Sequence, residues 1–584
     1  MATKSSMKRM EISYFDGVNS LVGSNIGKKN ELKYIENARS EEIGTIEKRG
    51  GTRRLGSEIA ATANYGLFYF ENSTNNGFYR CSTVGAVVSI YYAGATGAWT
   101  ILGTGGTGLT AANTSHTFAE ENCFIVNGND ANRYIESDGT TVVTSTIAAG
   151  HLYNSPKGYK VNFYKDRLYI ADIYISSTRK KNGIQQSSTP LGVVALVSGD
   201  HVAGVTSIEV TDTTYIHSTD TLQVYRGGSL IETLTITAKT ENTITVSATS
   251  SAILSADELW VNNTFIGKKI FRWVNNSPSG APVKEYDTFY LTGNQNDSIK
   301  MLTNIGNMMV IANKNNLAIW NDYNLQNLDL GIGCVSDFGF VKTLGGLWFL
   351  HYTGIFATNG SVPKLMSAKV QKYIDGATIA GLEAAAAGKK GESVFFAIGD
   401  VTLYNPDGSI DKTLSDVCLE YNMRQENWYV HTEIDATIFA TYIADDNPDR
   451  LEYASKDSKY NIYELFNTEQ DSGEEIPFRI DTENLTLAQN FENFSRVHSI
   501  IVEVERGSGM ECFVSLDNEP FYQIKGNINK GCAILKVTSK DSEQAQPPRC
   551  RRIKISIRDF TKKKCKISRM AVVYEETSET ENQV

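Results

Sequence analysis

One repeating pattern constrains the fold of this chain more than any other feature. A short apolar strand, a polar turn and a second strand rich in aromatic or β-branched residues follow one another. The pattern begins seven times, at Leu67, Cys123, Leu168, Met309, Leu347, Val394 and Phe439. The intervals are 56, 45, 141, 38, 47 and 45 residues, close to the ~40–50 residues of a β-propeller blade. We therefore predict an all-β propeller of six to eight blades, with unrelated hairpins stacked in sandwiches as the alternative.

The 141-residue interval is too long for one blade and predicts an inserted domain over residues 190–262. Apolar residues there occupy every second position, as in Thr221–Tyr225 and Thr243–Val246. Such strands bury one face and leave threonine and serine outward, which indicates a small β-sandwich or barrel at the rim. The 68 residues that remain in the interval suffice for one further blade, and an exposed insertion of this kind often contacts a partner.

The blade pattern ends near Asp471, where longer strands begin, and these predict a separate C-terminal β-sandwich. In Arg552–Arg558 basic residues alternate with isoleucines that we expect to enter its core. Helix is scarce, and the best candidate runs from Ile379 to Ala387. The predicted domains are an N-terminal arm (1–60), the first part of the propeller (61–189), the insertion (190–262), the second part of the propeller (263–470), the sandwich (471–575) and an acidic flexible tail (576–584).

Charge is distributed unevenly along the 584 residues, whose net charge is −10. Residues 1–55 carry eleven bases and seven acids, 198–262 carry two bases and eight acids, and 541–569 carry ten bases and three acids. A chain with such charged patches is expected to bind partner proteins that are themselves charged. The basic stretch Arg549 to Arg569 contains a single aromatic residue, Phe560, so we favour a solvated strand face or a seam over base-stacking recognition of nucleic acid.

The sequence offers no motif for a cofactor, a metal or catalysis. The eight cysteines form no C-x-x-C pair and are expected to be small buried hydrophobes, and the seven histidines are isolated. The glycine-rich run Gly103–Thr110 lacks the lysine of a phosphate loop. No apolar run reaches the ~20 residues of a membrane helix, and the start of the chain resembles no secretion signal. We therefore expect no catalytic, cofactor-binding or metal-binding residue, no cofactor and no membrane span.

A propeller glycosidase is the enzymatic alternative, because such enzymes place acids at the central channel. The acids that suit this role are Asp166 beside Arg167, Asp322 beside Tyr323, Asp337, and the pair Asp445 and Asp446. The repeated Ser-x-Asp-x-Gly-x-Thr-Trp turn of sialidases is missing from the sequence. These acids are therefore interpreted as turn formers or surface residues, and the chain is predicted not to be an enzyme.

Six stretches of the sequence share one further feature, and they are Glu31–Ala38, Gly44–Gly51, Met308–Ala312, Ile319–Asp322, Gly331–Cys334 and Gly345–Phe349. In the first two, an acidic residue and an Asn-Ala precede a glycine and an Arg-x-Gly. Together these stretches resemble the tail hub, nozzle and packaged-DNA stabilisation proteins of short-tailed bacteriophages, in which the same pattern occurs. The resemblance covers residues 20–60 and 300–370, and elsewhere only the arrangement of the domains.

The resemblance implies a structural virion protein, made in the host cytoplasm and located in the tail. It implies a homo-oligomeric ring, commonly a hexamer, docked below the portal and adaptor, with tail fibres or a needle outside. Such a ring forms a conduit that retains and releases packaged double-stranded DNA without sequence-specific contacts. We further expect an arm formed by residues 1–55 to bridge to the adaptor. The competing hypothesis is a receptor-binding tail module whose insertion or propeller face binds a host glycan.

Overall fold

The computed structural model describes residues 7–20, 28, 30–71, 76–94, 97–146, 151–152, 155–175, 177–218, 220–261, 271–273, 288–291, 296–405, 407–444, 447–471, 473–487, 493–538 and 546–577. The chain divides into two compact units. Unit 1 comprises residues 1–55, 338–357 and 364–584, and unit 2 comprises residues 56–337 and 358–363. Nearly all regular structure is antiparallel β, and the fold is a β-propeller with an inserted β domain and a C-terminal β-sandwich.

Unit 2 contains four antiparallel sheets that we name blades 1 to 4. Their strands are Ala61–Phe70, Gly77–Val84, Val87–Ala93, Trp99–Ile101 and Thr107–Leu109 in blade 1; Ser115–Ala119, Asn122–Val126, Arg133–Ile135 and Val142–Thr144 in blade 2; Gly158–Tyr164, Arg167–Ile175, Thr178–Gln186 and Thr288–Tyr290 in blade 3; and Met301–Ile305, Met308–Ala312, Asn316–Trp320 and Leu325–Leu330 in blade 4. A short 3-10 helix, Thr104–Gly106, lies within blade 1.

Apolar side chains fill the spaces between consecutive blades of unit 2. One cluster joins Phe68 and Ile90 of blade 1 to Ile125 of blade 2, and further clusters join blades 2 and 3 and blades 3 and 4. The first strands of blades 2, 3 and 4 lie side by side. Both faces of a blade are therefore buried, which explains why its central strands are continuous apolar runs such as Met309–Ala312.

The insertion of unit 2 forms its own six-stranded sheet around a single core. Its strands are Val193–Leu196, Ser207–Glu209, Thr221–Arg226, Ser229–Lys239, Thr243–Val246 and Glu258–Val261. The chain then returns to blade 3, whose fourth strand pairs with Thr178–Gln186. Between the insertion and blade 4, the described residues thus supply the outer strand of blade 3 and no additional blade, so the seven patterns in the sequence correspond to seven sheets.

Unit 1 contains the three remaining blades, which we name blades 5 to 7. Their strands are Phe340–Thr343, Gly346–His351, Gly354–Thr358 and Lys364–Leu365 in blade 5; Ala386–Lys390, Ser393–Tyr404, Ile410–Asn422 and Asn427–His431 in blade 6; and Ala436–Ala444, Asn447–Ser455, Ile462–Thr468 and Gly51–Arg54 in blade 7. The helices Ala368–Val370 (3-10), Gln371–Asp375 and Ile379–Glu383 connect blades 5 and 6. A strand from near the start of the chain thus completes the last blade.

The remaining twelve strands of unit 1 form the C-terminal sandwich. They are Lys8–Ser13, Leu32–Glu36, Ala38–Arg39, Ile46–Lys48, Phe478–Thr482, Leu485–Thr486, Phe494–Leu516, Tyr522–Gln523, Ile528–Lys536, Arg549–Cys550, Arg552–Asp559 and Lys566–Thr577. The 23-residue strand Phe494–Leu516 pairs with Lys566–Thr577 along its first part and with Arg552–Asp559 along its last. It therefore connects these two strands within one twelve-stranded sheet.

Several segments differ from their sequence-based expectations. The described strands of residues 1–60 do not stand apart as an arm, because they need partners for their backbone groups and find them in the sandwich and in blade 7. The predicted helix stops at Glu383, and Ala386 and Ala387 are buried in a strand. The last strand continues to Thr577, and the rest of the predicted tail lies outside the described residues. Seven cysteines are buried as predicted, whereas Cys532 is exposed.

Candidate functional site

The residues that carry the family resemblance near the start of the chain meet in the interior of unit 1. Asn37 and Arg49 are both fully buried. Asn37 adopts a left-handed backbone conformation with φ of 55°. Its side-chain amide donates to Thr432 Oγ1 at 2.8 Å and to the carbonyl of Pro477 at 2.9 Å. We call Asn37, Arg49, Thr432 and Asp471 the Asn37–Arg49 node.

Arg49 uses all five of its N–H donors inside this node. Nε donates to Asn37 Oδ1 at 2.8 Å, and the two terminal nitrogens form a two-pronged ion pair with Asp471. The same nitrogens also donate to the carbonyls of Gly50 and Thr432 at 3.0 and 3.1 Å. A guanidinium has five donors and no acceptor, so this arginine is completely satisfied without water. The node ties the start of the chain to the end of blade 6 and to the beginning of the sandwich.

The two glycines that follow Arg49 allow close contact between strands. A Cβ atom on Gly51 would lie 2.0 Å from the carbonyl oxygen of Gln470, and one on Gly50 would lie 3.0 Å from Phe466 Cα. Neither glycine has a positive φ. Glycine is therefore needed here for space, because the strand Gly51–Arg54 must approach blade 7 closely to pair with it.

A buried histidine–carboxylate pair lies next to the node. His431 Nε2 is 2.8 Å from Glu420 Oε2, and both side chains are fully buried. Burial raises the pKa of Glu420, but Arg39, at 2.9 Å, and the His431 hydrogen bond outweigh it and lower the pKa to about 2. Burial lowers the pKa of His431, so the imidazole is neutral and donates to an ionised Glu420. This pair is an internal polar connection within blade 6.

Unit 2 contains a polar pocket of about 210 Å³ at one end of the first strands of its blades. We call it the Asp337 pocket; its lining residues are Asn113, Tyr159, Lys160, Asp172, Arg179, Ser298, Ile299, Lys300 and Asp337. Lys160 Nζ lies 2.9 Å from Asp337 Oδ1, and Lys300 Nζ lies 3.3 Å from Oδ2. Asn113 donates to the same carboxylate at 3.2 Å. Sequence reasoning singled out only Asp337, because its partners are scattered along the chain.

Arg179 also lines the Asp337 pocket, and three partners hold its guanidinium in place. Arg179 donates from Nε and a terminal nitrogen to the two oxygens of Asp172 at 2.7 and 2.6 Å. Its guanidinium lies 3.9 Å from the centre of the Tyr159 ring, and it donates to Ser298 Oγ at 3.3 Å. Asp172 stands at an irregularity in strand pairing with φ of 55°, a local distortion that turns its carboxylate toward Arg179.

The acids proposed for a glycosidase have different surroundings. Burial raises the pKa of Asp337, but Lys160 and Lys300 outweigh it and hold that pKa well below its ordinary range, so Asp337 is unsuited to act as a general acid near neutral pH. Asp166 and Asp322 occupy turns with φ of 58° and 87°. Asp322 lies 3.7 Å from Lys165.

The other residues named for the hydrolase hypothesis are Arg167, Tyr323 and the pair Asp445 and Asp446. Arg167 donates to the carbonyl of Ser187 at 2.7 Å, and Tyr323 is exposed. Asp445 and Asp446 lie outside the described residues. Within the described ranges no three histidine, cysteine or acidic side chains are grouped so that they could hold a metal ion.

The basic C-terminal strand has the predicted alternation. Ile553, Ile555 and Ile557 are fully buried, whereas Arg552, Lys554 and Arg558 are partly exposed. The guanidinium of Arg558 lies 4.0 Å from the centre of the Phe513 ring on the neighbouring strand. Further along, Lys566 and Arg569 form ion pairs with acids of unit 1. Part of this positive charge is therefore neutralised within the unit.

Comparisons with known proteins leave the family open. No family model and no curated protein matches the chain. Similar solved structures include YCF48 from Cyanidioschyzon merolae (7% identity, TM-score 0.33, 71% of this chain and 98% of that one) and BamB from Moraxella catarrhalis (11%, 0.27, 72% and 99%). Apo AztD from Citrobacter koseri is similar at 9% identity and a TM-score of 0.25, covering 70% and 95%. These likenesses are distant, and the fold is defined by the sheets of the chain itself. None of the helices in the described part of the chain has the length and hydrophobicity to cross a bilayer.

Proposed function

We propose that this chain is a structural virion protein, a subunit of the tail hub or nozzle ring of a short-tailed bacteriophage. In this role it forms part of the conduit that retains packaged DNA and later releases it. Its partners are further copies of itself, commonly six in a ring, the portal and adaptor above, and tail fibres outside. The proposal rests on the resemblance in the sequence and on what the resembling residues do in unit 1.

The observation that carries the proposal is the Asn37–Arg49 node. Two motif residues of the resemblance, Asn37 and Arg49, are fully buried and hydrogen-bonded to each other. A motif with these surroundings holds domains together instead of binding a substrate. It therefore supports an architectural role, in which the chain must transmit force through the sandwich and blade 7 without coming apart.

A long hairpin in blade 6 offers a surface for contacts with other copies or with DNA. Its strands, Ser393–Tyr404 and Ile410–Asn422, extend to a tip where Tyr404 and Ile410 face each other across the pair. These side chains are 61% and 64% exposed. Large apolar residues exposed together mark interaction sites. We assign this tip to a contact between subunits or to a gate in the conduit.

Electron microscopy of the purified full-length protein and of virions tests this function. We expect closed rings in the preparation and density for this chain in the tail. The double substitution Tyr404→Ser with Ile410→Ser should weaken rings or DNA retention while leaving circular dichroism unchanged. The matched control is Val362→Ser, which alters an apolar residue that is 68% exposed on unit 2. A protein that stays monomeric at every concentration and is missing from virions would end the proposal.

A further inference from the structure

We propose that the Asp337 pocket of unit 2 binds a phosphate group, held by Lys300, Lys160 and Arg179. This site is separate from the architectural role proposed above and does not depend on it. The ligand chemistry is that of an oxyanion with several acceptor oxygens. Both a free phosphate and a phosphodiester of nucleic acid have oxygens of this kind.

The charge of the pocket favours an anion. Three cations, Lys160, Lys300 and Arg179, face two carboxylates, Asp172 and Asp337, which leaves a formal charge of +1. Lys160 has only 8% of its side chain exposed, so its ammonium is held inside the pocket instead of in bulk water. Charged hydrogen bonds in such a partly enclosed place are stronger than those on an open surface.

The hydrogen-bonding capacity left in the pocket is on the donor side. Both oxygens of Asp337 accept hydrogen bonds or ion-pair contacts, and both oxygens of Asp172 accept from Arg179. Lys300, in contrast, has three N–H donors and makes one contact with the described residues, at 3.3 Å from Asp337 Oδ2. Ser298 accepts from Arg179 through its oxygen, which leaves its hydroxyl hydrogen available. A ligand that brings hydrogen-bond acceptors therefore fits the pocket, whereas a positively charged ligand does not.

Size and shape also favour a small oxyanion over a sugar. A volume of about 210 Å³ has room for about seven waters at ~30 Å³ each, which is more than the five heavy atoms of phosphate require. The Tyr159 ring, which a sugar would stack on, is covered by the Arg179 guanidinium at 3.9 Å. The pocket thus offers hydrogen-bond donors in a partly enclosed volume instead of an open aromatic face.

Calorimetric titration of the full-length protein with inorganic phosphate tests the site. We expect saturable binding that becomes about tenfold weaker in Lys300→Gln, the loss typical of one charged hydrogen bond. The matched control, Lys364→Gln, removes the same charge from an exposed position on unit 1 and should leave affinity unchanged. Ser298→Ala is a smaller change and should weaken phosphate binding about threefold. It tests the site if the Lys300→Gln protein fails to fold.

A second titration distinguishes the two sources of phosphate. A short single-stranded oligonucleotide that competes with inorganic phosphate, and whose affinity also falls in Lys300→Gln, would identify nucleic acid as the ligand. An oligonucleotide that does not compete would identify a free phosphate compound. Absence of phosphate binding, or equal phosphate affinity in the wild-type protein, Lys300→Gln and Ser298→Ala, would overturn the proposal.

Discussion

Arg49 and Asp471 are 422 positions apart in the sequence and form a two-pronged ion pair inside unit 1. Asp471 Oδ1 also accepts from the backbone N–H of Thr52 at 3.0 Å, so one carboxylate fixes both the arginine and the start of the strand Gly51–Arg54. This strand completes blade 7. The ion pair therefore connects the start of the chain, the last blade and the segment that leads into the sandwich.

Replacing Arg49 by alanine should destabilise unit 1 by about 3–5 kcal/mol, because it leaves the Asp471 carboxylate without its partner in a largely buried place. Arg506→Ala is the matched control, since its ion pair with Glu469 is exposed on both sides and should contribute about 0–1 kcal/mol. Chemical denaturation followed by fluorescence measures the free energy of unfolding of both variants. Equal losses for the two variants would refute the importance assigned to the node.

Two substitutions of Asn37 separate its side-chain bonds from its backbone conformation. Both Asn37→Gly and Asn37→Ala remove the bonds to Thr432 and Pro477, but only alanine must also adopt the left-handed φ of 55° against its own preference. We expect the alanine variant to be less stable than the glycine variant by about 1 kcal/mol. Thermal unfolding of the two proteins gives the difference, and an alanine variant at least as stable as the glycine variant would contradict the argument.

Substitution of Gly51 by alanine should cost about 1–3 kcal/mol, because the new Cβ would lie 2.0 Å from the Gln470 carbonyl oxygen and the strand would have to move away from blade 7. Gly345→Ala is the matched control: its Cβ would meet no atom within 4 Å, and its φ is not positive. That variant should be neutral or slightly more stable. Denaturation midpoints compare the two, and a neutral Gly51→Ala would show that this backbone relaxes freely.

Glu452 should make unit 1 less stable as the pH rises. Its side chain is fully buried opposite Glu464, and burial together with that neighbour raises its pKa to about 8 despite Arg450. Because this folded-state pKa lies above the ordinary value of 4.5, the stabilising contribution is complete below about 4.5 and is lost as the pH rises through 8.

Glu452→Gln removes this titration, so the stability of the variant relative to wild type should increase from about pH 5 to about pH 8. Glu469→Gln is the matched control, because it makes the same substitution at an exposed carboxylate. Denaturation of the three proteins across this range provides the measurement. A difference between Glu452→Gln and wild type that is independent of pH would mean that Glu452 is ionised in the folded protein.

The sequence by itself determined where most strands lie and which side chains enter the core. The seven patterns beginning at Leu67 through Phe439 correspond to seven sheets, the insertion occupies Val193–Val261, and Ile553, Ile555 and Ile557 are buried. These features are predictable because they depend on local alternation and on turns between neighbouring strands. A strand with a wrong local pattern could not bury its apolar face, whatever its partner.

Only the tertiary structure decided which distant segments meet. No local signal indicates that Gly51–Arg54 completes blade 7, that Asn37 and Arg49 join Asp471, or that Lys160, Lys300 and Arg179 surround one pocket. The helix predicted to reach Ala387 ended early for the same reason, because strand pairing with Ser393–Tyr404 outweighs the helix propensity of alanine. Periodicity is a property of neighbours along the chain, whereas an ion pair or a closing strand depends on the path of the whole backbone.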